Sequence, residues 1–383
     1  MSTLAHPRLF GRPLPIVQAP MAGGACTPEL VAAVSAAGGL GSVAAAVLPP
    51  AEIARQIARV RELTAEPFAA NLFVLPSRIE TDAAEVARAW AALGSARAAV
   101  GLPADETPPA RFAESFDAQF DALCEAAPPV ASFTLGLLSA AQVARLHARG
   151  CRVVGTATNV DEALAWEAAG ADAVCAQGVE AGGHRGTFLG EQRDSFIGLM
   201  ALLPQIVDAV RIPVLAAGGL MDGRGVAAVL ALGASAAQVG TAYLDCRESG
   251  IADCWKAAVR GATATQSVLT RAFSGRYARG QRNAFIRDHA ALEASAPAYP
   301  VQNALTGSLR KAATQAGNGE YLSLWCGQGA AMSRRRPAGL GAGELTRLLA
   351  DEAGVAVARL MPRATGGDAF PGGHSSSDSR ERT

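Results

Sequence analysis

Charged and aromatic residues are scarce in this chain of 383 residues. Charged side chains make up 18% of it and aromatic ones 5%, and 34 basic and 34 acidic residues give a formal net charge of zero. Among the basic residues only Lys256 and Lys311 are lysines. Without an excess of either charge, neither nucleic acid nor an anionic membrane is expected as a partner. Since half of the residues are hydrophobic, the composition favours a compact metabolic enzyme with a large core.

No two cysteines have the C-x-x-C spacing of a zinc site or a redox motif. The seven cysteines are scattered and odd in number, which argues against a disulfide framework and favours reduced thiols in the cytoplasm. The chain does not begin with a basic segment followed by an apolar run, so no signal peptide is predicted. Residues 30–51 carry no charge, but glycines interrupt them and two prolines close them. A buried helix and strand are therefore expected there in place of a membrane span.

No G-x-G-x-x-G motif begins the first helix, which argues against an open doubly wound sheet with a dinucleotide site. Eight short apolar segments occur instead, each but the last followed by a segment of helix length. This order predicts an α/β fold, a parallel (β/α)₈ TIM barrel over residues 10–244, with a possible helical insertion at about 76–127. The open sheet is the alternative. The predicted strands are residues 15–20, 39–46, 68–74, 131–135, 152–157, 174–176, 213–217 and 236–244.

A lone histidine lies in a glycine-rich loop after the sixth predicted strand, in the sequence VCAQGVEAGGHRGTF of residues 174–188. The apolar start of this segment is typical of a strand that is covered on both faces. Gln177 and Glu180 bring polar groups to the end of the strand, and the glycines allow a tight turn or the close approach of a ligand. His184 is therefore a candidate catalytic residue. The alternative is an exposed histidine in an ordinary connection.

Glycines also follow the seventh and eighth predicted strands. The seventh continues into AAGGLMDG at residues 216–223, and the eighth contains QVGT at residues 238–241. Barrels commonly hold phosphate at these two loops, because backbone N–H groups and a helix N-terminus point at the anion. Together the loops predict a phosphorylated cofactor. The alternative is that these glycines serve only tight packing.

Three segments follow the predicted barrel. Residues 245–300 are predicted to form a cap over the barrel mouth, in which residues 265–273 and 275–281 form an extended pair joined at Ser274 and Gly275. Residues 301–360 are predicted as helices that pack on the barrel, and Trp325 among them is expected beside the cofactor or in the core. Residues 361–383 are rich in Gly, Ser, Asp and Arg and are predicted to be disordered.

Six segments of the chain, in order, resemble the nitronate monooxygenases, which are FMN-dependent barrel enzymes formerly called 2-nitropropane dioxygenases. The resemblance extends from about residue 10 to about residue 350, so it is more specific than any single motif. The segments are PIVQAPMAGG (15–24), ANLFV (70–74), QGVEAGGHRGTF (177–188), AAGGLMDGRG (216–225), QVGTAYL (238–244) and YPVQNALTGSLR (299–310).

The resemblance implies that alkyl nitronates, such as propionate 3-nitronate, are oxidised by O₂ to a carbonyl compound and nitrite. Electron transfer would proceed one electron at a time, through a flavin semiquinone. His184 would be the catalytic residue and would hydrogen-bond or partly neutralise the nitronate, or act as a base on a neutral nitroalkane. Tyr299 would also contact the substrate, and the QN-x-LT segment at residues 302–306 would approach the flavin or the substrate, or be only a packed crossing. The residues matched to FMN binding are Met21, Asn71, Gln177, Gly182, Gly218, Gly219, Gln238, Val239, Gly240 and Thr241.

Two other functions remain open. An NAD(P)H-dependent FMN reductase, of the enoyl-acyl-carrier-protein or quinone reductase type, resembles this chain in the E-A-G-G-H loop at residues 180–184. The YPVQN segment favours the nitronate enzyme. A flavin-binding protein without turnover is the third reading, and a histidine among glycines argues against it. The sequence is compatible with a monomer or a homodimer.

Overall fold

The computed structural model describes residues 9–360, which form a closed barrel and a smaller sheet beside it. The segment predicted to be disordered, residues 361–383, lies outside the described residues. Within residues 9–360 no helix has the length and apolar character needed to cross a membrane. The strands, in chain order, are β1 (Ile16–Gln18), β2 (Ser42–Ala44), β3 (Ala69–Phe73), β4 (Val130–Thr134), β5 (Arg152–Ala157), β6 (Ala173–Gln177), β7 (Gly183–His184), β8 (Val214–Ala217), β9 (Ala236–Val239), β10 (Ser267–Thr270) and β11 (Ala278–Gln281).

Helices surround the barrel and form much of the region that follows it. They are α1 (Pro28–Ala36), α2 (Pro50–Leu63), α3 (Ala83–Ala92), α4 (Gly94–Ala99), α5 (Phe116–Ala126), α6 (Ala140–Ala148), α7 (Val160–Ala168), α8 (Leu199–Ala209), α9 (Gly223–Ala231), α10 (Asp253–Gly261), α11 (Ala284–Asp288), α12 (Leu292–Ser295), α13 (Val301–Leu305), α14 (Gly307–Gln315) and α15 (Ala342–Leu360). Short 3₁₀ helices lie at Leu9–Gly11, Thr241–Tyr243, Gly319–Tyr321 and Gln328–Arg335. The last helix, α15, returns to the barrel and packs against α1 and α9.

Eight strands form the barrel in the spatial order β1, β9, β8, β6, β5, β4, β3, β2, and all their pairings are parallel. The sheet closes between β1 and the residues before β2. There the N–H of Gln18 donates to the carbonyl of Leu40 at 2.9 Å, and the N–H of Leu40 donates to the carbonyl of Ile16 at 2.9 Å. The predicted (β/α)₈ barrel is confirmed, and the open sheet is wrong.

The barrel strands are apolar on both faces because alternate residues belong to two different cores. The inward side chains are mostly small or β-branched, so they fill the narrow base of the barrel. The outward set, which packs under the helices, is Ile16, Val43, Ala70, Leu72, Ala131, Phe133, Val153, Val174, Ala176, Val214, Ala216, Ala237 and Val239. The inward set is Val17, Leu40, Ala69, Val130, Val154, Ala173, Cys175, Leu215, Ala217 and Ala236.

The eighth barrel strand is shorter than the predicted residues 236–244. It ends at Val239, and the chain turns at Gly240 into a 3₁₀ helix, in which the N–H of Tyr243 donates to the carbonyl of Gly240 at 2.8 Å. Tyr243 is fully buried, and its hydroxyl lies 2.8 Å from Oγ1 of Thr346 on α15. The apolar run therefore continues past the strand because its aromatic residue packs in the helical layer.

Strands β10 and β11 form an antiparallel pair, as predicted, and β7 adds an unpredicted third strand. Both strands of the pair are shorter than predicted, and residues 271–277 connect them in place of a tight turn. Gly275 in this connection has a φ of 78°, and a Cβ there would lie 1.8 Å from the carbonyl oxygen of Pro297. Only glycine fits this position, where the connection crosses the chain that leads to α13.

A separate apolar cluster joins α3 and α4 to the region after the barrel. Leu93 lies between these two short helices and packs in one cluster with Phe273 and Phe285. The two phenylalanine rings stack with their centroids 4.1 Å apart. Aromatic burial of this kind stabilises the contact between the residues after β3 and the residues after β9.

Candidate active site

A cavity of about 360 Å³ lies where the carboxyl ends of the barrel strands meet the residues that follow the barrel. Its floor forms where inward positions change from apolar to polar. In β4 the inward residue Val130 is followed two positions later by Ser132, and in β6 Cys175 is followed by Gln177. Residues two apart on a strand share one face. The same change from Ala236 to Gln238 in β9 puts a third polar side chain in the floor.

Hydrogen bonds join the polar residues of this floor across neighbouring strands. Nδ2 of Asn71 donates to Oγ of Ser132 at 3.1 Å and to Oγ1 of Thr134 at 3.5 Å. Oγ1 of Thr134 lies 3.1 Å from Oγ1 of Thr156 on β5. These contacts fix the orientation of the Asn71 amide and leave its Oδ1 without a partner among the described residues. A ligand in the cavity can therefore donate a hydrogen bond to this oxygen.

Two sets of bonds hold the loop that carries His184. On one side, Nε2 of Gln177 donates to the carbonyl of His184 at 3.1 Å, and Oε1 of Gln177 accepts from the N–H of Gly186 at 2.8 Å. On the other side, β7 pairs His184 with Ala278 of β11. The Arg185 guanidinium also donates to the carbonyl of Gln177. His184 is therefore half-buried in a fixed frame and is not a residue of a free surface loop.

The His184 imidazole lies among three aromatic rings. Its centroid is 5.8 Å from that of Phe73, 5.1 Å from that of Tyr299 and 5.8 Å from that of Trp325. Nε2 is buried, and neither ring nitrogen has a hydrogen-bond partner among the described residues. Burial, together with the positive charges of Arg276 and Arg310, lowers the pKa of His184 to about 3. The ring is therefore neutral near pH 7 and can form hydrogen bonds with a ligand without adding charge.

Tyr299 provides a second neutral group at the same wall of the cavity. Burial raises the pKa of Tyr299 to about 12, although the nearby Arg310 and Arg276 oppose the shift. The phenol is therefore protonated at neutral pH. Its hydroxyl has no partner within residues 9–360, so it remains available to donate to a ligand.

Glycines after β8 and β9 form a cradle on another wall of the cavity. Gly218 and Gly219 have φ values of 131° and 69°, in the region that favours glycine. A Cβ on Gly218 would lie 3.3 Å from the backbone nitrogen of Ala181. The N–H groups of Gly219 and Gly240 donate to no acceptor within the described part of the chain. Unpaired backbone donors grouped at these two loops suit a phosphate group.

The structure brings the predicted site residues together at this cavity, with one exception. Val239 is 1% exposed, packs in the core under the helices, and accepts the N–H of Ala19 at its carbonyl at 2.8 Å. Its side chain therefore does not reach the cavity. The predicted residues that line it are Met21, Asn71, Gln177, Gly182, His184, Gly218, Gly219, Gln238, Gly240, Thr241 and Tyr299.

Sequence reasoning missed several residues of the lining. Phe73 lies in the ANLFV segment of residues 70–74 but was assigned no role, and Trp255 on α10 lies in none of the six segments. Trp255 is 8% exposed, and its Nε1 has no partner among the described residues. Arg310 also lines the cavity and was missed, whereas Asn303, which lines it too, lies in the QN-x-LT segment that was expected near the flavin or substrate. The usable signal for Arg310 was its place in the YPVQNALTGSLR segment of residues 299–310.

Comparison with known proteins agrees with this architecture. The sequence model of the family described as nitronate monooxygenase matches residues 11–347. A probable nitronate monooxygenase of Staphylococcus aureus (strain Newman) is 43% identical over 327 residues, which cover 85% of this chain and 91% of that protein. The structure of nitroalkane oxidase from Streptomyces ansochromogenes has a TM-score of 0.84 and 43% identity, covering 91% of this chain and 98% of the other. That of FabK from Thermotoga maritima has a TM-score of 0.71 and 30% identity, covering 92% and 96%.

These similarities include both the barrel and the residues after it, so they cover every wall of the cavity. They imply an oxidoreductase with a flavin cofactor. The chain belongs to the nitronate monooxygenase family.

Proposed function

We propose that this protein binds FMN in the cavity and oxidises alkyl nitronates, such as propionate 3-nitronate, with O₂ to a carbonyl compound and nitrite. The observation that carries the proposal is a neutral histidine without partners, held in one cavity with a cradle of unpaired glycine N–H groups. Two nitronates and one O₂ give two carbonyl compounds and two nitrite ions. Atoms and charge balance in this reaction without a nicotinamide.

The lining residues fit FMN. The unpaired N–H groups of Gly219 and Gly240 would bind its phosphate beside Gly218, and a side chain on Gly218 or Gly219 would be strained. The polar floor would contact the ring system, and bound FMN supplies the one-electron redox chemistry. Val239 would contribute only through its main chain, next to Gly240. The residues proposed for FMN binding are Met21, Asn71, Gln177, Gly182, Gly218, Gly219, Gln238, Val239, Gly240 and Thr241.

His184 is proposed as the catalytic residue, acting through hydrogen bonding and without charge. Its lowered pKa, about 3, makes it a poor base for removing a proton from carbon near pH 7, since a general base works best with a pKa near the working pH. A nitronate is already an anion and needs no such step. Hydrogen bonding to the nitronate is therefore the role proposed for His184, in place of the base and the partly neutralising charge that the resemblance also allows. With Tyr299, the ring would orient the nitronate oxygens.

A second candidate is an NAD(P)H-dependent FMN reductase, because the E-A-G-G-H loop at residues 180–184 also resembles that class. The two functions predict opposite electron donors. In the nitronate enzyme, nitronate in air consumes O₂ and releases nitrite with no nicotinamide added. In the reductase, NADPH bleaches the flavin rapidly without oxygen, and nitronate is a poor reductant.

Purified protein should therefore be assayed with propionate 3-nitronate and with NADPH in parallel, after heat release of its flavin has shown FMN and not FAD. Replacing His184 with Ala should leave FMN bound and slow nitronate turnover by about two to four orders of magnitude, the range for loss of one positioned catalytic group. His147→Ala is the matched control, because His147 lies on α6 next to Asp172 and does not line the cavity. Rapid bleaching by NADPH without nitrite from any nitronate would overturn the proposal.

A further inference from the structure

Arg310 is the only charged side chain among the described residues that line the cavity. Neither an aspartate nor a glutamate contributes to this lining, and His184 is neutral. Within residues 9–360 no carboxylate pairs with the Arg310 guanidinium. The cavity wall formed by α14 therefore carries a positive charge that no acidic residue of the described chain compensates.

The bonds of Arg310 orient its guanidinium and leave one end free. Its Nε donates to Oγ1 of Thr306 at 3.3 Å. Its Nη2 donates to the carbonyl of Asn303 at 2.7 Å and to Oδ1 of the same residue at 3.1 Å. These bonds use three of the five N–H donors of a guanidinium. Both N–H groups of Nη1 lack an acceptor among the described residues.

Two other arginines near the site differ from Arg310 in this respect. Arg276 donates to the carbonyls of Arg185 and Thr187, and Arg279 donates to the carbonyl of Val179 at 2.8 Å. Neither of these two guanidinium groups lines the cavity. Their bonds stabilise the loop around His184, whereas Arg310 presents its free donors to the ligand space.

A desolvated cation without a counter-ion is costly, and burial lowers the pKa of Arg310 accordingly. An arginine nevertheless remains protonated in proteins, so the cost persists until an anion is bound. A small oxyanion offsets this desolvation cost, because the charge of such an ion is spread over oxygens that accept hydrogen bonds from guanidinium N–H groups. Nitronate and nitrite are both ions of this kind. The neutral groups of His184 and Tyr299 cannot distinguish such an ion from a neutral nitro compound by charge.

We propose that Arg310, oriented by Asn303 and Thr306, is the residue that selects the ionised substrate over its neutral acid, and that it also binds the product nitrite. The identity of the anion rests on the proposed function, but the existence of an anion subsite does not. Nitrite should consequently compete with nitronate, so the product inhibits the enzyme at the same residue.

Binding of sodium nitrite to the FMN-loaded protein tests the proposal without turnover, for example by calorimetry. Nitroethane at pH 6 serves as a neutral ligand of similar shape. In Arg310→Met nitrite should bind about 10- to 150-fold more weakly, the range for one hydrogen bond to a charged group, with little change for nitroethane. Arg310→Lys should retain part of the affinity. Lys311→Met is the matched control, because it removes one positive charge from the same helix at an exposed position outside the lining.

Equal nitrite affinity in wild type and Arg310→Met, or equal weakening of both ligands, would overturn the inference. If Arg310→Met does not fold, the affinities of the wild-type protein for the two ligands test the subsite. The wild-type protein must prefer nitrite to nitroethane by at least about tenfold, a difference of about 1.4 kcal/mol, and a smaller preference counts against the subsite. Nitrite binding that needs Arg310 in a protein that oxidises no nitronate would retain the subsite and reject the proposed function. Nitronate turnover with unchanged kcat/KM in Arg310→Met would retain the proposed function and reject the subsite.

Discussion

The lowered pKa of His184 should make the folded protein lose stability as the solution becomes acidic. The ring has a pKa of about 3 in the folded protein against an ordinary value of 6.5. The stabilising contribution is therefore fully present above pH 6.5 and is lost as the pH falls toward 3, because the unfolded chain takes up the proton first. Between pH 7 and pH 5 the unfolded chain gains about 0.7 of a proton at this position. Integrated over that interval, the loss is about 2 kcal/mol.

The assay compares wild type with His184→Asn, which keeps a polar side chain but removes the titrating ring. Urea unfolding of both proteins at pH 7, 6 and 5, with the same FMN concentration, gives the free energy of unfolding at each pH. All other titrating groups are common to both chains, so they cancel in the difference. The wild type should lose about 2 kcal/mol relative to the variant between pH 7 and pH 5. A difference that stays constant over this range would refute the lowered pKa of His184.

Three further substitutions test the cavity walls. Gly219→Val should weaken FMN binding at least about 100-fold, measured by flavin fluorescence, since two or more phosphate bonds are lost. Gly190→Ala is the control and should not weaken FMN binding, because Gly190 has a similar φ of 77° but no neighbour at its Cβ. Equal loss of binding in both variants would mean that backbone strain is responsible. Gln177→Leu, assayed with saturating FMN because Gln177 is also proposed to bind it, should lower kcat about 10- to 100-fold through loss of the loop bonds; unchanged kcat would show that β7 suffices. Tyr299→Phe should lower kcat/KM for nitronate about 2- to 12-fold, the range for one neutral hydrogen bond, and no change would remove the phenol from the site.

The barrel could be predicted because each strand is a short apolar run and each helix between strands has a helical length. The ends of these elements were less predictable where packing decides them. The run at residues 236–244 looks like one strand, yet the sheet ends at Val239 because Tyr243 is needed in the helical layer. Strand β7 has only two residues, Gly183 and His184. Such a strand exists only through its partner β11, which lies far away in the sequence, so no local pattern predicts it.

The candidate site was predictable where motifs follow the strands and not where distant segments supply single side chains. The glycines after β8 and β9 have a recognisable order in the chain, and they form a cradle with unpaired donors. Trp255 and Arg310 reach the cavity only through the packing of α10 and α14 on the barrel mouth. The neutral state of His184 was not predictable from the sequence for the same reason, because its desolvation comes from Phe73, Tyr299 and Trp325, which the chain folds around it.

The pairing of His184 with β11 makes the order of assembly matter. The barrel can close its eight strands without residues 265–300, since none of the barrel pairings involves them. A chain at that stage would already have its glycine cradle and its polar floor. It would lack the two ladder positions that fix His184, because those depend on Ala278 and Arg279. His184 therefore takes its position only when β11, from the last third of the chain, has paired with β7.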